Sequence, residues 1–373
     1  MKDYDFLLVG AGLFNIVLGR KLTNFGYKCL IIDKRNHIGG NCYTEERYSI
    51  DVHMYGPHVF HTNNKKIWNF INKYSEFIPY QLNIKANYKG KIYSLPFNMN
   101  TFYELYHVNN PFDANEKLKK DLVEYKTPKN LEEQALSQVG KKIYKTLIKE
   151  YTEKQWNKPC KNLSSDIIKR LPVRLNWNNN YYYDIYQGLP KNGYTNWMLN
   201  IINGKDDEEP IEYQLNIDFL NDKEYWINKA NRIIYCGEPD RLMNYVLGEL
   251  EWRSLYFDHV LMDNDIISDQ GCPIMNYTSN EVMYTRTIDQ KYFTPLYISQ
   301  DKKIFTYEFP QDYIKNQTEA YYPINDNKNE ELYLKYVKLI KETYPNIILG
   351  GRLGLYKYLD MDDTIYEAMN LKI

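Results

Sequence analysis

The first forty residues order apolar and glycine-rich stretches in a telling way. An apolar run from Tyr4 to Val9 meets Gly10-Ala11-Gly12, after which Phe14, Val17, Leu18, Leu22 and Phe25 recur at helical spacing. Gly26 is placed to end that helix before Lys28 to Ile32 resumes as a strand closed by Asp33. Strand, glycine turn, helix, strand and terminal acid, in this order, predict a βαβ unit that binds a dinucleotide. The first glycine permits the tight turn, the second lets backbone approach a pyrophosphate, and the helix N-terminus stabilises its charge. Asp33 would bind a ribose hydroxyl. Asn15 stands where a third fingerprint glycine is usual, and an ordinary βαβ unit with a glycine turn is the alternative reading.

Further along, Leu131, Ala135, Leu136, Val139, Ile143, Tyr144, Leu147, Ile148 and Tyr151 keep a helical period interrupted at Gly140. One long amphipathic helix, or two, is predicted from Asn130 to Trp156, with Asn130 and Glu133 arranged as a capping box. A short helix is expected from Ser164 to Arg170. The last third alternates β-like runs, including Arg232 to Cys236, Pro273 to Tyr277 and Lys303 to Phe309. These predict an antiparallel sheet joined to returning strands of the first unit. A helix from Glu330 to Glu342 then leads into Asn346 to Leu349 and Gly350-Gly351-Arg352-Leu353-Gly354. A strand ending in glycines permits close approach to a cofactor, or makes a simple turn.

A length of 373 residues suggests two or three units, one of them discontinuous. Lys and Arg number 47 against 48 Asp and Glu, a net charge of −1, so no global field attracts nucleic acid or an anionic membrane. No charged-then-apolar leader precedes Tyr4 and no apolar run approaches the ~20 residues that span a bilayer, so a soluble cytoplasmic protein is expected. Five cysteines without a C-x-x-C fit a reducing compartment. With 38 tyrosines in the chain, an individual tyrosine carries little weight as a site residue.

Candidate chemistry begins directly after Asp33, where Lys34-Arg35-Asn36-His37-Ile38-Gly39-Gly40-Asn41 brings a second glycine pair. Flavoproteins often carry such a segment, and FAD is favoured. Lys34 and Arg35 could instead meet the 2′-phosphate of NADP, although the acid argues against it. Tyr151, Trp156, Arg170 and Arg174 combine stacking surface with guanidinium forks suited to a nucleotide diphosphate. A buried tryptophan with ion-paired arginines is the competing reading. Three of the six histidines fall between Asp51 and His61. His58-x-x-His61 lacks a helical metal frame and a partner at metal spacing, so no metal is expected. Histidines lining a flavin pocket, or satisfied in the core, remain open.

Taken together, the motifs at Gly10 to Phe14, Arg35 to Asn41, Tyr55 to Thr62 and Tyr151 to Trp156 resemble those of bacterial-type UDP-galactopyranose mutases. The resemblance continues through Ile168 to Arg174, Tyr284 to Arg286, Tyr321 to Ile324, Gly351 to Gly354 and Tyr358 to Met361, nearly the whole chain. It implies an FAD enzyme that interconverts UDP-galactopyranose and UDP-galactofuranose for glycan biosynthesis without net redox change. The flavin must be reduced, its N5 being the covalent nucleophile, so a cellular reductant is implied, as is a homodimer. The implied architecture is α/β with α+β insertions. It comprises a discontinuous Rossmann-like FAD-binding domain (1–80, 190–245 and 330–373), a helical substrate domain (100–185) and an antiparallel sheet domain (81–99 and 246–329).

On the same resemblance, Arg170 and Arg286 would hold the UDP diphosphate, and Tyr151 and Trp156 would bound the uridine site. Tyr181, Tyr322 and Tyr358 would contact diphosphate or sugar, with Arg174 and Asp360 also on the substrate side. Gly10, Gly12, Leu13, Phe14, Asp33, Lys34, Gly39, Gly40, Asn41, Arg352 and Met361 would contact FAD, and His58 and His61 would sit beside its isoalloxazine ring. A mobile loop around residues 165 to 180 is expected to close over UDP and bring Arg170 inward. Asn157 replaces the glycine that commonly follows the tryptophan. Two rival classes are an amine-oxidase-like FAD oxidoreductase, disfavoured by the arginines and Trp156, and a non-catalytic nucleotide-sugar binding protein.

Overall fold

Four consecutive buried residues, Phe6 to Val9, leave no polar face on the first strand, so it lies inside a sheet covered on both sides. In the computed structural model, which describes residues 2–169, 172–265, 269–295 and 301–372, this strand, β1 (Tyr4–Val9), leads into α1 (Leu13–Asn24) and β2 (Cys29–Ile32). β1 is the middle of five parallel strands, in the order Glu212–Gln214, β2, β1, Ala230–Tyr235 and Ile347–Leu349. The run near Arg232 is thus a returning strand of this parallel sheet. The departure from the glycine fingerprint has a structural reason. Asn15 is fully buried, and its Nδ2 donates to Val9 O at 3.0 Å and Gly10 O at 2.9 Å, tying the helix to the strand it follows.

The second sheet has seven strands, ordered Tyr322–Pro323, Trp252–Asp263, Lys302–Asp312, Arg286–Asp289, Ile274–Tyr277, Ile84–Tyr88 and Lys91–Leu95. One pairing departs from the antiparallel expectation: Ile274–Tyr277 runs parallel to Ile84–Tyr88. Nearly two hundred residues, beginning with a long helical excursion and including strands of the parallel sheet, separate these two strands, so no short turn dictates their relative direction.

That excursion contains Met99–Tyr106, Pro111–Asp121, Leu131–Ile143, Lys149–Trp156 and Asp166–Lys169. The helical period from Asn130 to Trp156 is broken at Gly140, whose φ is +79°, and a π-turn at Tyr144–Ile148 follows. The break lets Asp121 approach: its Oδ2 accepts from Lys142 N at 2.7 Å and from the Tyr106 hydroxyl at 2.8 Å. A Cβ at position 140 would come within 2.8 Å of that oxygen. At the helix start, Asn130 caps Glu133 N at 3.0 Å, but Glu133 Oε2 accepts from Lys129 N at 2.8 Å, one residue before the cap, so the capping box stays open.

Among the described residues no helix is long and apolar enough to cross a membrane, and no group of three His, Cys, Asp or Glu side chains could hold a metal ion. The five cysteines form no disulfide. Replacing Asn15 by Ala takes the side-chain donor from Gly10 O and one of two donors from Val9 O, which still accepts from Cys236 N at 3.0 Å. A stability loss of about 1–3 kcal/mol in urea unfolding is expected, and an unchanged midpoint would show that the side chain does not lock the turn.

Candidate active site

Two cavities meet at the C-terminal edge of the parallel sheet. The first begins where β1 gives way to α1. Helix α1 starts at Gly12 with no side chain capping it, which leaves first-turn amides for an anion. A Cβ on Gly12 would meet nothing within 4 Å. The second glycine pair folds back onto this turn: Gly39 N donates to Ala11 O at 2.7 Å, and a Cβ on Gly40 would lie 3.2 Å from Gly12 Cα. The two glycine motifs, distant in the chain, make one backbone cradle. Asp33 is held at its rim, Oδ2 accepting from Ala11 N at 2.7 Å and Oδ1 from Arg35 N at 2.8 Å.

Every residue of the expected cofactor set except His61 lines this first cavity. Lys34 and Arg35 both pair with Glu319, at 3.3 and 3.1 Å. Arg35 also donates to Asn41 Oδ1 at 3.1 Å and lies 4.6 Å over the Tyr55 ring. The two cations that could have read a 2′-phosphate are therefore already answered. The far end is closed by Ile217, Phe219 and Leu220 and by an Arg241–Asp218 pair at 2.9 Å, none of which the sequence singled out.

Asn41, His58, Arg352 and Met361 line both cavities and mark their junction. Burial, and then the Arg352 guanidinium, push the His58 pKa down to about 4, so its imidazole is neutral near pH 7. Its backbone N–H donates to Nδ1 of His53 at 3.0 Å. His53 is the satisfied core histidine, buried and held well below the ordinary range by its surroundings and by His58. His61 faces the second cavity alone. Its Nδ1 lies 2.8 Å from Asp184 Oδ2 and its ring stacks on Tyr182 at 3.7 Å.

The second cavity brings together Tyr151, Trp156, Tyr181, Arg286, Tyr322, Tyr358 and Asp360 from five separate stretches of chain. Arg286 opens the strand Arg286–Asp289, and its Nε lies 2.8 Å from Oε2 of Glu308, directly opposite on the neighbouring strand. Glu308 is completely buried and its Oε1 also accepts from the Thr285 hydroxyl at 2.9 Å. Burial opposes the charge of Arg286, but the Glu308 carboxylate more than offsets this and raises the guanidinium well above its ordinary range. Burial likewise raises the Tyr151 and Tyr322 phenols, so both are neutral hydroxyls. Arg352 donates to Leu359 O at 2.7 Å beneath the Tyr358 ring. Asp360 precedes the helix Met361–Asn370 without capping it through its side chain.

Two buried acceptors in this cavity, Gln155 Oε1 and Asn276 Oδ1, have no hydrogen-bond partner among the described residues. They suit a ligand that carries N–H or O–H donors. Asn276 pairs in register with Arg286, a relation visible only once the strands are aligned. Arg174 departs from expectation. Its guanidinium is buried, donates to the Asn180 and Tyr181 carbonyls, lies 3.6 Å over the Tyr183 ring and lines neither cavity. Backbone carbonyls of the following loop captured it, so it shapes that loop rather than meeting a ligand. Arg170 lies outside the described residues, although Ile167, Ile168 and Pro172 beside it line the cavity.

Residues 146–358 match the family model described as UDP-galactopyranose mutase, and residues 8–74 match that of an NAD(P)-binding Rossmann-like domain. A probable UDP-galactopyranose mutase of Klebsiella pneumoniae is 38% identical over 376 residues, covering 99% of this chain and 94% of its own. A dTDP-fucopyranose mutase of Escherichia coli is 37% identical, covering 97% of this chain and 96% of its own. The crystal structure of a reduced UDP-galactopyranose mutase shares the fold, with a TM-score of 0.73 at 12% identity over 98% of this chain and 94% of that one.

Replacing Glu308 by Ala removes the carboxylate that answers Arg286. The Arg286 side chain keeps 23% of its exposure, so water at the cleft solvates part of the stranded charge. A stability loss of about 1–3 kcal/mol in chemical denaturation is expected, below that of a fully enclosed pair. No loss would mean that the pair does not hold the strand edge.

Proposed function

The chain belongs to the UDP-galactopyranose mutase family, and from that premise we propose that it interconverts UDP-galactopyranose and UDP-galactofuranose with reduced FAD as cofactor. The observation that carries this reading is the junction of the two cavities: a dinucleotide cradle opens, past His58 and Arg352, onto a cleft whose wall holds a permanent cation, Arg286.

The first cavity fits FAD on its own residues. Its Gly12–Gly40 cradle is bare of side chains where a pyrophosphate needs backbone, and Asp33 offers a fixed carboxylate to a ribose. Its far end is apolar enough for an adenine. Reduced FAD held there would supply an electron-rich, nucleophilic centre for chemistry at the anomeric carbon without net redox change.

The protein's own contribution is binding and charge. Arg286 would hold the diphosphate, stabilise the negative charge that grows as the nucleotide departs, and keep it in place to recombine. Glu308 keeps that guanidinium aimed at the cleft wall. Tyr322 and Tyr358, with ring centroids 6.0 Å apart, would supply hydroxyl groups beside it, while Tyr151 and Trp156 would bound the base. His58, neutral at working pH, would touch the cofactor without adding a charge. Arg170 would be the second diphosphate ligand, on the family resemblance. A cleft that sheds water favours return of the nucleotide over hydrolysis of the sugar.

A second reading has one specific observation behind it. The dTDP-fucopyranose mutase relative is as similar to the chain as the galactose enzyme is, 37% against 38% identity. Leu82 and Leu255 in the cleft wall offer apolar surface that suits a 6-deoxy sugar. The deciding assay is chromatography of UDP-galactofuranose and of the dTDP-linked fucofuranose, each incubated with purified protein with and without dithionite. Conversion of the UDP sugar to its pyranose only under reduction is the expected result. Preference for the dTDP sugar would select the second reading, and no conversion of either with verified reduced FAD would overturn both.

Two substitutions separate the cavities. Arg286→Ala is expected to keep its flavin spectrum while turnover falls about 10²–10³-fold, as for loss of other charge-stabilising donors. Gly12→Val is expected to lose the yellow flavin altogether by blocking the pyrophosphate. Near-normal turnover in the first, or full FAD occupancy in the second, would refute the assigned role.

A further inference from the structure

The helix Lys149–Trp156 carries Tyr151, Thr152, Gln155 and Trp156 into the second cavity, yet Lys154, in the middle of the same motif, lines neither cavity. Its Nζ donates instead to three backbone carbonyls, Tyr277 O at 3.0 Å, Ser279 O at 2.9 Å and Val282 O at 3.1 Å. An ammonium has three donors, and here each has its acceptor. The three carbonyls span the end of the strand Ile274–Tyr277 and the connection from it to the strand Arg286–Asp289. That connection leads directly into Arg286.

The same connection is tied to the same side of the helical stretch at two further points. The Thr278 hydroxyl donates to Thr146 O at 2.9 Å, and Asn280 N donates to Glu150 Oε2 at 2.8 Å. Positions 146, 150 and 154 recur every four residues, one per turn, and form a single stripe. Thr278 and Ser279 are buried beneath it. Burial pushes the Lys154 pKa down to about 8, so enclosing this cation is costly, and a surface lysine would avoid that cost.

We propose that Lys154 is a positioning residue: by caging three carbonyls of the 277–282 stretch it fixes the nucleoside-facing helix against the two paired strands that carry Asn276 and Arg286. Base and diphosphate contacts are thereby held at one spacing. This rests on the reading of the second cavity as a nucleotide-diphosphate site. Loosening the seam leaves every ligand-facing side chain present but lets the two halves of the site drift apart, which weakens binding of a ligand that must span both.

The test uses the FAD-loaded protein with UDP as probe, alongside steady-state turnover of the preferred nucleotide sugar under reduction. For Lys154→Met, the Kd for UDP and the KM are expected to rise about tenfold with kcat within about threefold and FAD occupancy unchanged, the signature of lost ground-state binding. Glu150→Ala, which removes the Asn280 tie at the surface and a carboxylate near Lys154, is expected to shift both constants the same way by about threefold. It decides the matter if Lys154→Met fails to fold. Unchanged UDP affinity in the folded variants, or a fall in kcat with Kd unaltered, would overturn the positioning role. Failure of the unaltered protein to bind UDP at all would instead sink the nucleotide-site reading on which the role rests.

Discussion

The cleft depends on one cross-strand pair. Glu308 is completely buried in the long strand Lys302–Asp312, and Arg286 lies opposite it in register, with Nε 2.8 Å from the carboxylate. A guanidinium at the wall of a partly desolvated cleft would be costly without an anion behind it, and a buried carboxylate would be costly without a cation in front. The pair therefore requires the two strands to align at that register. Once they do, a permanent positive charge faces the space between the sheets, and Asn276, next across, lines the same space.

The parallel sheet solves a different problem, the close approach of backbone to a large anionic cofactor. Two glycine turns more than twenty residues apart in sequence pack against each other at Gly12 and Gly40, where a side chain on Gly40 would crowd the Gly12 backbone. Asn15 then replaces the flexibility of a third glycine with two hydrogen bonds back to the strand end. The opening of the cradle coincides with the cleft because Asn41, His58, Arg352 and Met361 serve both. Chemistry between a cofactor and a nucleotide-linked sugar needs such continuity, since the reacting atoms belong to different ligands held by different sheets.

Long-range polar ties keep these parts in register. Glu319 answers Lys34 and Arg35 at the cradle rim, and Lys154 reaches across to the connection that precedes Arg286. Each joins the edge of one ligand site to a segment remote in the chain. Membership of the UDP-galactopyranose mutase family accounts for the general chemistry, whereas whole-chain similarity does not separate a galactose enzyme from a fucose one.

The local pattern was enough for what repeats along the chain. Buried runs, helical spacing and glycine turns predicted β1, α1, β2 and the C-terminal return to the sheet, while Arg286 entered only through the family resemblance; His58, Trp156 and Arg286 line the two cavities. What the sequence could not carry were partnerships without a period. Glu308 as the partner of Arg286, Glu319 as the partner of Arg35, and the parallel pairing of Ile274–Tyr277 with Ile84–Tyr88 all depend on register between distant strands and loops. Arg174 shows the same limit in reverse: its motif suggested a phosphate, but the folded loop offered the Asn180 and Tyr181 carbonyls first. Periodicity reports which face of an element is buried. Only the assembled tertiary structure decides which polar group waits on the other side, because a buried charge takes whichever partner the packing brings within hydrogen-bond reach.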